Sequence, residues 1–268
     1  MSLKTTLIKN QFHIIESILQ EKKQDFKVDN IHELRVELKK VNLLLSIIKD
    51  SDNRLKYKKQ LNHLKQLFKQ AGKIRELQLV IQQLNFWKDK YSISTLISIK
   101  NIELKQAKLA FIKMNKVSIH YKNIEQEVIS KLEESKNRNE FLQKIKSKIN
   151  NAFKKMKASH LNKIKKDRAK EVELHGLRIN AKKLVNYFKF FNEVENENQT
   201  DKLVELNNQL GEWHDLVVMK YHVLEYIQNN PKTKKQTVDA ACVIWENQQK
   251  INAFEMLILD KIYAIKQV

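Results

Sequence analysis

Two stretches of this chain place the same three side chains at the same helical spacing. The first is Ile31-His32-Glu33-Leu34-Arg35-Val36-Glu37-Leu38-Lys39-Lys40, and the second is Leu174-His175-Gly176-Leu177-Arg178-Ile179-Asn180-Ala181-Lys182-Lys183. His32, Arg35 and Lys39 in one correspond to His175, Arg178 and Lys182 in the other, at a constant offset of 143 residues. Spacings of three and four residues bring each trio to one side of a helix. Arg donates two parallel hydrogen bonds from a planar fork, Lys supplies point charge, and His donates and gains charge as pH falls. Such a trio suits a multiply charged oxyanion. Lys40 and Lys183 lie further round the helix, where a solvated lysine is as good a reading as an anion contact.

The elements that hold these residues follow from periodicity. With about 100° per residue from Ile31, His32, Arg35 and Lys39 fall at about 100°, 40° and 80°. Leu34, Leu38, Val41, Leu45 and Ile48 lie on one flank of this strip, and Val36, Leu43 and Ile47 on the other. In the second copy Leu177, Ala181, Leu184 and Phe188 form one flank, with Ile179 and Phe190 on the other. A surface helix ordinarily has one apolar stripe and one broad polar face. A narrow basic strip between two apolar flanks predicts a groove or channel between packed helices. Unpaired Arg and Lys there would be costly, and a polyanion would relieve the cost. The competing reading is that neighbouring carboxylates such as Glu76 and Asp215 neutralise each strip.

A second motif follows each copy. Leu64 to Leu79, with Gly72, Arg75 and Glu76, matches Leu203 to Val218, with Gly211, His214 and Asp215. The offset here is 139 residues from Gly72 to Gly211. All three glycines of the chain fall inside the repeated motifs. Gly72 and Gly211 read as helix C-caps, each followed by a new helix whose free amides can hold an anion. Arg75 and His214 are placed to join the basic groove. Glu76 and Asp215 read as groups that hold helix ends or orient the cations. The paired motifs divide the chain into tandem halves, 1–137 and 138–268.

Composition sets the class. Only 3 Gly and 1 Pro in 268 residues exclude a turn-rich β fold and predict an all-α protein. Helical periodicity gives segments 3–23, 29–49, 53–71, 73–89, 92–116, 119–134, 138–166, 169–192, 200–210, 213–229 and 233–265. The net charge of +20 comes from 51 Lys+Arg against 31 Asp+Glu, and it points to a polyanionic partner. Only six of those basic residues are Arg, so the positions of Arg35, Arg75 and Arg178 are the more informative. The densest basic run, Lys144 to Lys170, contains Lys155 and Lys166 and leads into the second motif. One cysteine, Cys242, excludes an intramolecular disulfide, fits a reducing cytoplasm, and reads as a small buried apolar residue. The first residues lack a signal-peptide pattern, and no run approaches the length of a membrane span.

At these four motif blocks the chain resembles the CHAD family, the conserved-histidine α-helical domain. The family pattern is roughly H-x-L-R-V-x-x-K/R-R-L-R, with L-G-x-x-R/H-D after each copy. The resemblance implies two pseudo-symmetric four-helix bundles around a basic central pore or groove that binds long-chain inorganic polyphosphate. It also implies association with polyphosphate granules in some members. On these positions the implied contacts are His32, Arg35, Lys39, Lys40, Arg75, His175, Arg178, Lys182, Lys183 and His214, with Lys155 and Lys166 from the basic run. The pattern departs at Asn42 and Val185, where the last basic residue is lost, and at Asn186, where Tyr is frequent. Many members carry a triphosphate-tunnel hydrolase domain with Glu-x-Glu-x-Lys. Glu171-Val-Glu173-Leu-His175 lacks that Lys, so a stand-alone domain is expected.

Three other functions fit parts of the pattern. A helical nucleic-acid binder would use the same charge, but large apolar flanks suit a narrow channel better than a broad duplex. A hydrolase would need a metal cluster, a P-loop or a nucleophile with its base, and none is visible; His214 and His222 are too far apart along the helix for one metal site. A membrane-surface scaffold would rely on charge alone. No enzyme activity, cofactor or metal is expected.

Overall fold

A computed structural model describes residues 3–20, 28–51, 58–115, 121–134, 138–161, 167–191, 197–229 and 233–265. They form nine α-helices and no strand: α1 Leu3–Gln20, α2 Val28–Ser51, α3 Lys58–Trp87, α4 Ser94–Asn115, α5 Tyr121–Glu134, α6 Arg138–Leu161, α7 Asp167–Phe191, α8 Glu197–Asn229 and α9 Lys234–Ala264. The protein is all-α, as composition predicts.

Two expected breaks are absent. Gly72 lies inside the continuous α3 and Gly211 inside the continuous α8. Neither has the positive φ that a left-handed cap requires, so neither is a C-cap and no helix N-terminus follows it. An isolated Gly costs a helix about 1 kcal/mol relative to Ala. That is small beside the burial of the surrounding Leu67, Ala71, Ile74 and Leu77, or of Leu206, Leu210 and Trp213. By contrast, the break at Asn229-Asn230-Pro231 is real, since α8 ends at Asn229. The following helix opens with Thr233, whose hydroxyl accepts from the Gln236 amide at 3.2 Å.

The chain divides into two compact units. One comprises Met1–Gln82 with Ser98–Phe141, and the other Gln83–Ile97 with Leu142–Val268. In the first unit α1, α2 and α5 pack together. Ile8, Phe12 and Ile15 of α1, Leu34, Leu38 and Ile48 of α2, and Ile124 and Val128 of α5 are buried there. Within each helix they recur at three- or four-residue steps or sums of such steps, the signature of one helical face.

In the second unit α8 packs against both α7 and α9. Asn247, fully buried on α9, donates its Nδ2 to the Leu216 carbonyl of α8 at 2.8 Å. The α3–α4 turn belongs to this unit. Glu246 of α9 accepts from Lys90 at 2.5 Å and from the Tyr91 hydroxyl, and Asp239 accepts from the Ser92 amide at 3.0 Å. The Lys250 ammonium stands 4.9 Å and 4.5 Å from the ring centroids of Phe86 and Trp87.

Cys242 is half-buried rather than buried, because α9 presents it at the edge of its outer face. Among the described residues, no helix is long and apolar enough to cross a membrane.

Candidate functional site

The first strip stands on α2. Its flanks are buried except at Val36, which is half-buried: Leu34, Leu38, Val41, Leu45 and Ile48 lie on one side, Leu43 and Ile47 on the other. Between them His32 is exposed and Arg35 and Lys39 are half-buried. The strip is therefore a narrow cationic line that solvent reaches, set in packed apolar surface.

Arg35 reaches across to α3. Its Nη1 donates to the Phe68 carbonyl at 3.3 Å, and its guanidinium carbon lies 5.0 Å from the Phe68 ring centroid. A Cβ at Gly72 would come within 2.6 Å of that Nη1, so the glycine is what admits the guanidinium. Phe68, Gly72 and Arg75 recur at four- and three-residue steps and share one face of α3. Arg75, half-buried, thus continues the face that receives Arg35. Glycine here serves a close side-chain approach, not a helix end.

Lys40 pairs with the buried Glu37 at 2.6 Å. The equivalent of Glu37 in the second copy is Asn180, which donates instead to the Gly176 carbonyl at 3.0 Å. Lys183 has no such carboxylate at that position and is exposed. Two lysines that look equivalent in sequence are thus placed differently.

The second strip stands on α7, with Leu177, Ala181, Leu184 and Phe188 buried on one flank and Phe190 on the other. Ile179, expected on a packed flank, is exposed. His175 is exposed, and Arg178 and Lys182 are half-buried. The His175 ring lies 5.0 Å from the His214 ring of α8, centroid to centroid, so the two motifs of this half meet. Asp215 acts on Arg178 electrostatically and favours its charged form. Burial acts in the other direction and prevails, holding the Arg178 pKa below the usual arginine value. Its Nε is buried with no hydrogen-bond partner among the described residues. His175, though exposed overall, is also held below its ordinary value, first by partial desolvation of its ring and then by the Arg178 charge.

Behind this strip, the Trp213 indole N–H donates to Glu255 at 3.4 Å, and Lys170 pairs with the other oxygen of Glu255 at 2.5 Å. Of the basic run, Lys155 is exposed on α6, and Lys157 lies 5.4 Å from the Tyr263 ring centroid. Lys166 lies outside the described residues.

Sequence reasoning therefore found the cations but missed their seats. Phe68 had a legible signal, since it shares a helical face with Gly72 and Arg75. The meeting of His175 with His214 had none, because it depends on how α7 packs on α8.

A family model described as the CHAD domain matches residues 13–224. The crystal structure of the CHAD domain from the plant Ricinus communis is similar, with a TM-score of 0.70 at 14% identity, covering 98% of this chain and 91% of that one. PptA from Streptomyces chartreusis is similar with a TM-score of 0.67 at 8% identity, covering 97% and 98%. At such identities the likeness speaks for the fold. No curated protein matches by sequence.

Proposed function

This chain belongs to the CHAD domain family, and we propose that it binds inorganic polyphosphate through its two His-Arg-Lys strips without chemically altering it. The observation that carries this reading is Arg178. It is partly desolvated, its Nε lacks an acceptor among the described residues, and its charge acts on His175, whose ring lies against that of His214. A multiply charged oxyanion reaching this place returns to the guanidinium the electrostatic stabilisation that burial removes.

The recurrence of the same trio in the first strip, on α2, and the net charge of +20 favour a repeating anion over a single small phosphate. The apolar flanks leave a line only one side chain wide, which suits a thin phosphate chain better than a duplex. Binding rather than hydrolysis fits the residue types: donors and point charges dominate the strips. Among the described residues, no three His, Cys, Asp or Glu side chains cluster in a way that could hold a metal ion. The same affinity would bring the chain to polyphosphate granules wherever these form.

The test is titration with phosphate oligomers of defined length, at two salt concentrations, for the wild type and for Arg35→Ala with Arg178→Ala. Wild-type affinity strengthens with oligomer length and weakens steeply with salt, and the double variant loses at least about tenfold. Undiminished binding by the double variant, or orthophosphate release by pure protein, sinks the reading.

A further inference from the structure

We propose that a second copy of this chain docks antiparallel on the outer face of α9. This inference is independent of anion binding. Val238, Trp245, Met256 and Tyr263 are 52%, 65%, 53% and 44% exposed. At about 100° per residue, all four fall within about 20° of one line along the helix. The opposite line holds the buried Ala240, Val243, Asn247, Ile251, Ile258 and Ile262. A surface helix needs one apolar stripe, and α9 carries two.

The outer line itself carries little charge. Ala241, Gln249, Asn252 and Ala253 fill in around the four large side chains, with Lys234 and Asp260 at its edges and the Lys157 ammonium of α6 against the Tyr263 ring. In a chain with 31% charged residues, a line of this length with so little charge does not serve a polyanion. It matches another neutral, apolar helix face, and a contiguous exposed apolar patch of this kind marks an interaction surface.

The order of residues identifies the partner helix. Val238 and Tyr263 are equidistant from the midpoint between Lys250 and Ile251, as are Trp245 and Met256, and Gln249 and Asn252. A twofold axis through that midpoint sets Trp245 against Met256 of the partner subunit, and Val238 against Tyr263 of the partner subunit. The contact is isologous, with a favourable thioether–indole pairing made twice. Two such faces together cover on the order of 1,000 Å², at the low end for specific association. The dimer is accordingly weak and reversible. Repulsion between two copies of charge +20 opposes it, so salt strengthens it. That sign is opposite to the salt dependence of anion binding.

Sedimentation velocity of the full chain over a wide concentration range, at low and high salt, tests this. The wild type dimerises more readily at high salt. Trp245→Glu raises the dimer dissociation constant on the order of tenfold or more, with the helical circular dichroism unchanged because the side chain is exposed. Adding Met256→Lys to Trp245→Glu restores association, because the register brings each new carboxylate to a new ammonium. A chain monomeric at every concentration overturns the proposal, as does a dimer indifferent to Trp245→Glu. Binding of neutral lipid vesicles through Trp245 without self-association also overturns it. Failure of the double variant to regain the dimer overturns the antiparallel arrangement.

Discussion

The Arg35 Nη1 occupies space that a Cβ at Gly72 would need, at a separation of 2.6 Å. In the first half the two motifs therefore form one device assembled from two helices: α2 supplies the guanidinium, and α3 supplies the gap and the Phe68 ring and carbonyl that receive it. In the second half, a Cβ at Gly211 would meet nothing within 4 Å. Where the first copy has Phe68, the second has Asn207.

This difference separates the two glycines experimentally. Gly211→Ala is expected to stabilise the chain by up to about 1 kcal/mol, the helix propensity difference. Gly72→Ala gains less, because the Arg35 guanidinium must leave its seat, and it weakens polyphosphate binding where Gly211→Ala does not. Urea unfolding of both variants, with a titration of each, checks the contrast.

Lys40 and Lys183 should part in the same way. Lys40→Ala leaves the Glu37 carboxylate buried without its cation, at a cost of about 1–3 kcal/mol. Lys183→Ala, at an exposed position, changes stability by less than about 0.5 kcal/mol. Equal effects in chemical denaturation would refute a structural role for Lys40.

Glu255 is expected to support the second strip from behind. Glu255→Ala strands the indole N–H of the buried Trp213 and removes the partner of Lys170. Stability falls by about 1–3 kcal/mol. Glu255→Gln retains an acceptor for the indole and recovers part of the loss. Thermal and urea unfolding of both variants give the comparison.

The pH dependence follows from His175. Partial desolvation and Arg178 hold its folded pKa below the ordinary value, so the unfolded chain binds its proton at a higher pH than the folded chain. The stabilisation from keeping this ring neutral is complete above about pH 6.5 and is lost as pH falls through the lower folded value. His63, also depressed by burial, adds to the same slope. Melting temperature should therefore drop on acidification, and less steeply in His175→Gln. An anion on the strip raises the His175 pKa, so polyphosphate binding takes up protons and strengthens as pH falls from 8 to 6. Calorimetry in buffers of different ionisation enthalpy measures that uptake.

The helices, their buried faces and the paired cationic strips were legible in the sequence. Gly and Pro are too scarce for anything but helices, and a three- to four-residue period states which side of each helix is buried. Residues 32, 35 and 39 declared themselves because helical geometry alone aligns them. What the one-dimensional pattern misjudged was glycine. In sequence, Gly72 and Gly211 look like stops, yet α3 and α8 run straight through them, because the cost of one glycine is small against the burial of its neighbours.

Only the tertiary structure decided which cation is seated and by what. Arg35 rests on Phe68, Lys40 answers Glu37, and Arg178 sits near Asp215 beside the paired His175 and His214 rings. Except for the pair one turn apart on α2, these relations join residues on different helices. Their separations depend on how those helices pack, which no periodicity within a single helix encodes.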